Sequence, residues 1–216
     1  RGKSVVDSAS ANSLREALNE ASRHSGYWLL CGGFFVCGFH VAFIATHLPP
    51  FLSDHDLPPM LAATAIAMTG LFNIFGSVAS GWLGGKFRQK HVLSYFYLAR
   101  AIIIAGFLVF PVTPTSVLIF AALIGFLWLG TVPLTSGLVA RIFGPRYLGA
   151  LFGIVFFSHQ IGGFLGAWLG GYIYDLTGSY DQVWLIAVGL GVLAAILHWP
   201  IADDPLARRA QPAKIF

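Results

Sequence analysis

The sequence predicts an all-α membrane protein of six spanning helices, and three observations carry that prediction. The chain is 56% hydrophobic and only 10% charged, against about 25% charged residues in soluble domains. Six apolar runs, 26–48, 60–82, 92–111, 115–140, 148–174 and 181–199, approach or exceed the roughly 20 residues needed to cross a hydrocarbon core. Basic and acidic connections alternate between them.

The elements follow in order. Residues 1–25 carry Ser13-Leu14-Arg15-Glu16 at capping-box spacing, with Leu14, Ala17, Leu18 and Ala21 at helical intervals. This predicts an amphipathic helix in a linker, either an inter-domain connector or an ordinary N-terminal segment. The chain opens on Arg1 with no signal-peptide pattern, as expected for a piece of a longer protein. The first span holds Cys31 and Cys37, which have no metal-ligand spacing and read as small packing residues. His40 and His47, seven apart, share one face; with no third ligand they do not make a metal site. His40 either relays protons and contacts substrate or packs as a satisfied core histidine. Pro49-Pro50 and Pro58-Pro59 mark turns. The second span places Thr69, Asn73 and Ser77 on one face, a stripe that lines a pathway or joins helices.

Arg100 lies near the middle of the third span and is the only one of thirteen Lys and Arg residues inside an apolar run. A guanidinium there costs roughly 2.5–3.5 kcal/mol on insertion scales, so it faces a partner or a cavity. It either clamps an anion or locks structure by bonding carbonyls or an acid elsewhere. Tyr97, one turn before, contacts substrate or orients the guanidinium. In the fourth span Trp128, Thr131 and Thr135 accompany Pro133, which predicts a local bend beside a cavity. His159 and Gln160 sit at the midpoint of the fifth, where they donate to substrate or join helices; His159 also suits a coupling proton. The sixth run leads into a tail, 200–216.

Arg1, Lys3, Arg15 and Arg23 precede the first span, Lys86, Arg88 and Lys90 follow the second, Arg141 and Arg146 the fourth, and Arg208, Arg209 and Lys214 the sixth. The other connections hold Asp54, Asp56, Asp175 and Asp181 and no Lys or Arg. The positive-inside rule then places both termini in the cytoplasm and the protein in a plasma or inner membrane as a multi-pass chain. The net charge of +4 is spread over these loops as anchors, which argues against a nucleic-acid partner.

Gly76-Ser77-Val78-Ala79-Ser80-Gly81-Trp82-Leu83-Gly84-Gly85 recurs at an offset of 86 as Gly162-Gly163-Phe164-Leu165-Gly166-Ala167-Trp168-Leu169-Gly170-Gly171. The two segments would run in opposite directions across the membrane, as in a 3+3 inverted repeat. Small residues four apart also let helix backbones approach closely.

Gly81 to Lys90, with Gly81, Gly85, Lys86 and Arg88 as its marks, resembles the conformational loop of the major facilitator superfamily in its C-terminal-half version. Gly85 stands where that motif has an Asp. Gly170-Gly171-Tyr172-Ile173-Tyr174-Asp175-Leu176-Thr177-Gly178 and Phe126-Leu127-Trp128-Leu129-Gly130-Thr131-Val132-Pro133 are similar to the monocarboxylate and oxalate/formate branch. The resemblance implies the C-terminal six helices of a twelve-helix carrier, with the other six-helix half missing from this chain. It further implies alternating access and a small organic anion as substrate, moved through the lipid bilayer by a secondary transporter. Known members place their basic residues on the second and fifth helices of this half, where this chain has Asn73 and His159.

The expected substrate-binding set is thus Arg100, His159, Asn73, Gln160, Tyr97, Trp128 and His40, with no cofactor and proton coupling through His159. The alternatives are an efflux carrier for amphipathic or multidrug compounds, with Arg100 structural, and a non-transporting membrane receptor. An enzyme is not expected, since no His-Glu-x-x-His or Gly-x-Ser-x-Gly pattern occurs.

Overall fold

The computed structural model describes Ala11 and residues 13–206, and every regular element among them is an α-helix. Arg1, Lys3 and most of the predicted linker before Ser13, and the tail from 207 with Arg208, Arg209 and Lys214, lie outside the described residues. Helix α1 (Leu14–Arg23) is N-capped by Ser13, whose Oγ accepts from the Glu16 amide at 3.2 Å, and it buries Ala17 and Ala21. The longer helices are α2 (Ser25–Ser53), α3 (Pro59–Lys86), α4 (Gln89–Val109), α7 (Leu148–Thr177) and α8 (Asp181–His198). Between α4 and α7 one span is made of two collinear pieces, α5 (Pro114–Phe126) and α6 (Thr131–Phe143). Six spans of this length and hydropathy result.

Two local readings of the sequence are corrected here. The first span does not end at Pro49-Pro50; both prolines lie inside α2, which runs on to Ser53. Leu48, Phe51 and Leu52 are buried in the core, and their packing holds a last turn that the prolines alone would break. The fourth span is not a continuous helix over 115–140 bent at Pro133. It is interrupted at Leu127–Gly130, while Pro133 occupies the first turn of α6, where a missing N–H costs no hydrogen bond.

The three most extensive contacts are α2 on α7, α4 on α8 and α3 on α5. In span order these pair first with fifth, third with sixth and second with fourth. Exchanging the first three spans for the last three maps this set onto itself, as a 3+3 repeat requires. The repeated glycines show it atom by atom. A Cβ on Gly76 would lie 1.7 Å from the Phe126 carbonyl oxygen, and one on Gly162, its equivalent at offset 86, would lie 2.0 Å from that of Phe35. Each half therefore seats a glycine of its middle span directly on a backbone carbonyl of the other half.

The core falls into two apolar clusters. One gathers Tyr27, Leu30, Phe34, Leu93, Leu138 and Val155 toward the basic end; the other gathers Phe43, Phe51, Ile104, Phe120 and Trp184 toward the acidic end. Cys37 and Leu127 belong to the first cluster, while His40 and Arg100 belong to neither.

At the basic end the segment after α8 is strapped across the bundle. The buried Asp203 carboxylate pairs with Arg88, lies 3.7 Å from Lys90 Nζ, and its carbonyl accepts from Arg141 Nε at 2.9 Å. The hydrogen bond from Arg88, with the Arg88 and Lys90 charges, holds the Asp203 carboxyl below its ordinary value. A depressed carboxylate stabilises the fold fully above the unfolded value of about 3.9 and loses that contribution as pH falls through its own lower value. Asp203→Asn is therefore expected to melt earlier than wild type at neutral pH, with the gap closing in acid below about pH 4. Thermal unfolding in detergent at the two pH values checks this.

Candidate functional site

Arg100 is 1% exposed at the crossing of α4, α2 and the α5–α6 break. Its Nη2 donates to the carbonyl oxygens of both Leu127 and Trp128, and its Nη1 donates to Cys37 Sγ at 3.4 Å. The guanidinium carbon lies 5.5 Å from the centre of the Tyr97 ring. These carbonyls end the half-helix α5, where the helix dipole is negative and a cation is favoured. Asn73 serves the same break from α3: its Oδ1 accepts from the Leu129 amide at 2.9 Å. Two side chains from neighbouring spans thus replace the backbone bonds that the interruption removes, which is the condition for irregular backbone at membrane depth.

The second wall comes from α2, α6 and α7. Cys37 Sγ lies 3.2 Å from Thr131 Oγ1. His159 Nδ1 donates to Gln160 Oε1 at 3.1 Å, and its ring stacks on Phe156. Four buried polar atoms here have no hydrogen-bond partner: Tyr97 Oη, Arg100 Nε, Thr135 Oγ1 and His159 Nε2. Among the described residues both ion pairs are made by Asp203, so no carboxylate neutralises Arg100. A buried guanidinium without a counter-charge is costly.

The other expected residues sit apart or serve differently. Trp128 contributes its carbonyl, with its ring half-buried. Gln160 is exposed on α7 and reaches the site through His159. His40 is buried and donates from Nε2 to the Ala187 carbonyl at 2.8 Å, so that nitrogen is turned to α8. Gly81, Gly85, Lys86 and Arg88 lie remote from Arg100 at the basic end; α3 extends through Lys86, whose ammonium sits 4.9 Å over Trp82. The sequence reading missed Cys37, taken for packing, and His198, whose ring stacks on Tyr97 at 4.8 Å. Cys37 stands at helical spacing before His40; its partners come from spans far off in sequence.

The sequence profile described as Major Facilitator Superfamily matches residues 2–167. The chain belongs to the major facilitator superfamily. Within the superfamily it is similar to an uncharacterized MFS-type transporter, YcxA, of Bacillus subtilis, at 29% identity over 83% of this chain and 45% of that protein. It is also similar to monocarboxylate transporter 13 of Rattus norvegicus, at 27% identity over 85% of this chain and 47% of that one. Monocarboxylate transporter 12-B of Danio rerio matches at 23% identity over 86% of this chain and 39% of its own length. The chain spans less than half the length of these relatives. It is a multi-pass membrane protein of a transporter family.

Proposed function

We propose that this chain is the C-terminal half of a secondary transporter for small monocarboxylates, working by alternating access, with its basic end and both termini in the cytoplasm of a plasma or inner membrane. The observation that carries the reading is Arg100: a buried guanidinium with a free Nε and no carboxylate partner among the described residues. A substrate carboxylate supplies the missing charge, Tyr97 and His159 offer it their unpaired polar atoms, and Asn73 keeps the nearby break in place. The monocarboxylate transporters among the relatives agree with that substrate class.

Two apolar stripes support the placement of a second half. Leu71, Val78 and Trp82 of α3 and their repeat equivalents Phe157, Phe164 and Trp168 of α7 are all exposed. Both stripes lie on the middle spans of their repeats, and a second six-helix unit packs against them. The test is uptake of radiolabelled pyruvate into vesicles holding the full-length carrier. Saturable flux competed by other short carboxylates, and not by neutral or bulky amphipathic solutes, is expected. Flux of amphipathic drugs alone would favour an efflux carrier, and saturable binding without flux a receptor.

A further inference from the structure

Two groups beside Arg100 can become anions, the phenol of Tyr97 and the thiol of Cys37, and the thiol is the stronger acid. Its sulfur is 0% exposed and receives Arg100 Nη1 at 3.4 Å, with Thr131 Oγ1 at 3.2 Å. Arg100 and His159 both act on it electrostatically, and Tyr97 of α4 faces it as well. Every element around it brings neutral or basic groups. Residue His40 on its own helix is bonded to Ala187, α6 offers Thr131 and Thr135, α3 brings Asn73, and α8 brings His198, stacked on Tyr97. Burial opposes the ionisation of a thiol, while a guanidinium hydrogen-bonded to its sulfur favours the thiolate. A buried guanidinium, meanwhile, needs an anion.

We propose that Cys37 is the ionisable centre of this site: its thiolate is the resting counter-ion of Arg100, and a proton arriving through His159 releases the guanidinium to a substrate carboxylate. The inference rests on the anion-carrier reading above. The exchange balances without an oxidant or reductant. A proton taken up at His159, whose ring faces the Cys37 sulfur, passes to that sulfur and gives the neutral thiol; the carboxylate then takes the sulfur's place on Arg100. One proton and one anion enter together, and the charge of the site is unchanged. Cys31 has no such role, since no basic side chain bonds its sulfur.

The test uses the full-length carrier in detergent and in vesicles. The ultraviolet thiolate absorbance of wild type minus Cys37→Ser is recorded from about pH 5 to about pH 8.5, the free thiol value. A difference band present at neutral pH and fading in acid is expected, with Cys31→Ser leaving it unchanged; no difference band anywhere in that range overturns the proposal. Cys37→Ala gives the same difference spectrum should the serine variant not fold. In vesicles, Cys37→Ser is expected to lose at least tenfold of the pyruvate accumulation driven by a proton gradient, and Cys37→Asp to restore it. Wild-type accumulation by Cys37→Ser overturns the proposal. A thiolate band without carboxylate flux supports the counter-ion and overturns the substrate reading; carboxylate flux without a band does the reverse.

Discussion

Replacing Gly76 with alanine is expected to lower the unfolding free energy by about 1–3 kcal/mol, the usual cost of overpacking, and replacing it with leucine to leave no folded protein. The added Cβ would sit 1.7 Å from the Phe126 carbonyl oxygen, a backbone atom with no rotamer to change, so α3 and α5 must separate. Separation spreads, because the same contact line includes Gly125, whose Cβ would meet the Thr69 backbone at 2.7 Å. The equivalent change in the other half, Gly162→Ala against Phe35, is expected to cost a similar amount, since the two glycines do the same work in the two repeats. Gly189→Ala is the control: nothing lies within 4 Å of its Cβ site, and alanine's better helix propensity predicts a neutral or slightly favourable effect of up to about 1 kcal/mol. Thermal or denaturant unfolding of the four variants checks the order. Equal stability of Gly76→Ala and Gly189→Ala would remove the close approach from the account of this fold.

The second large effect is at Arg100, where two consequences are separable. Arg100→Met keeps the length and loses every donor, so the Leu127 and Trp128 carbonyls are left buried without it. Unsatisfied buried groups cost about 1–3 kcal/mol each, and a clear fall in melting temperature is expected. Arg100→Lys keeps a cation that bonds part of this set, so its stability loss is expected to be smaller. A lysine is a point charge, however, and cannot hold two carbonyls, the Cys37 sulfur and a substrate in one planar fork. Pyruvate uptake is therefore expected to fall at least tenfold in kcat/KM, about 1.4 kcal/mol, in both variants. Uptake by Arg100→Lys at the wild-type rate, with melting lowered, would make the residue a structural lock and nothing more.

The spans were legible because each is a long apolar run. Arg100 was legible as an isolated charge, but its partners were not: Leu127 and Trp128 contribute backbone oxygens, which leave no mark on residue type. The break itself was misplaced for the same reason. Pro133 advertises a bend, yet the helix parts earlier, at Leu127–Gly130, where Arg100 and Asn73 stabilise the interruption. Cys37 carried no signal of its own, since a buried thiol reads as packing until a guanidinium from another span is found beside it. Asp203 was hidden in a tail whose sequence shows only two adjacent acids. Its importance comes from Arg88, Lys90 and Arg141 converging on it.

The pairing of spans bears on the order in which the chain is built into a membrane. The second span has its main partner in the fourth, the first in the fifth and the third in the sixth. As synthesis proceeds from the N-terminus, the first three spans are all made before any of those partners exists. At that stage α1 on α2, α2 on α3 and α3 on α4, all slight contacts, are available. Assembly then closes from the inside outward: emergence of α5 satisfies α3, α7 satisfies α2, and α8 completes α4 and brings Asp203 to the basic end. A ribosome halted after α4 is expected to hold three helices of this half without their principal partners, which a protease or an insertion chaperone treats as unfinished, whereas one halted after α7 already owns two of the three principal interfaces.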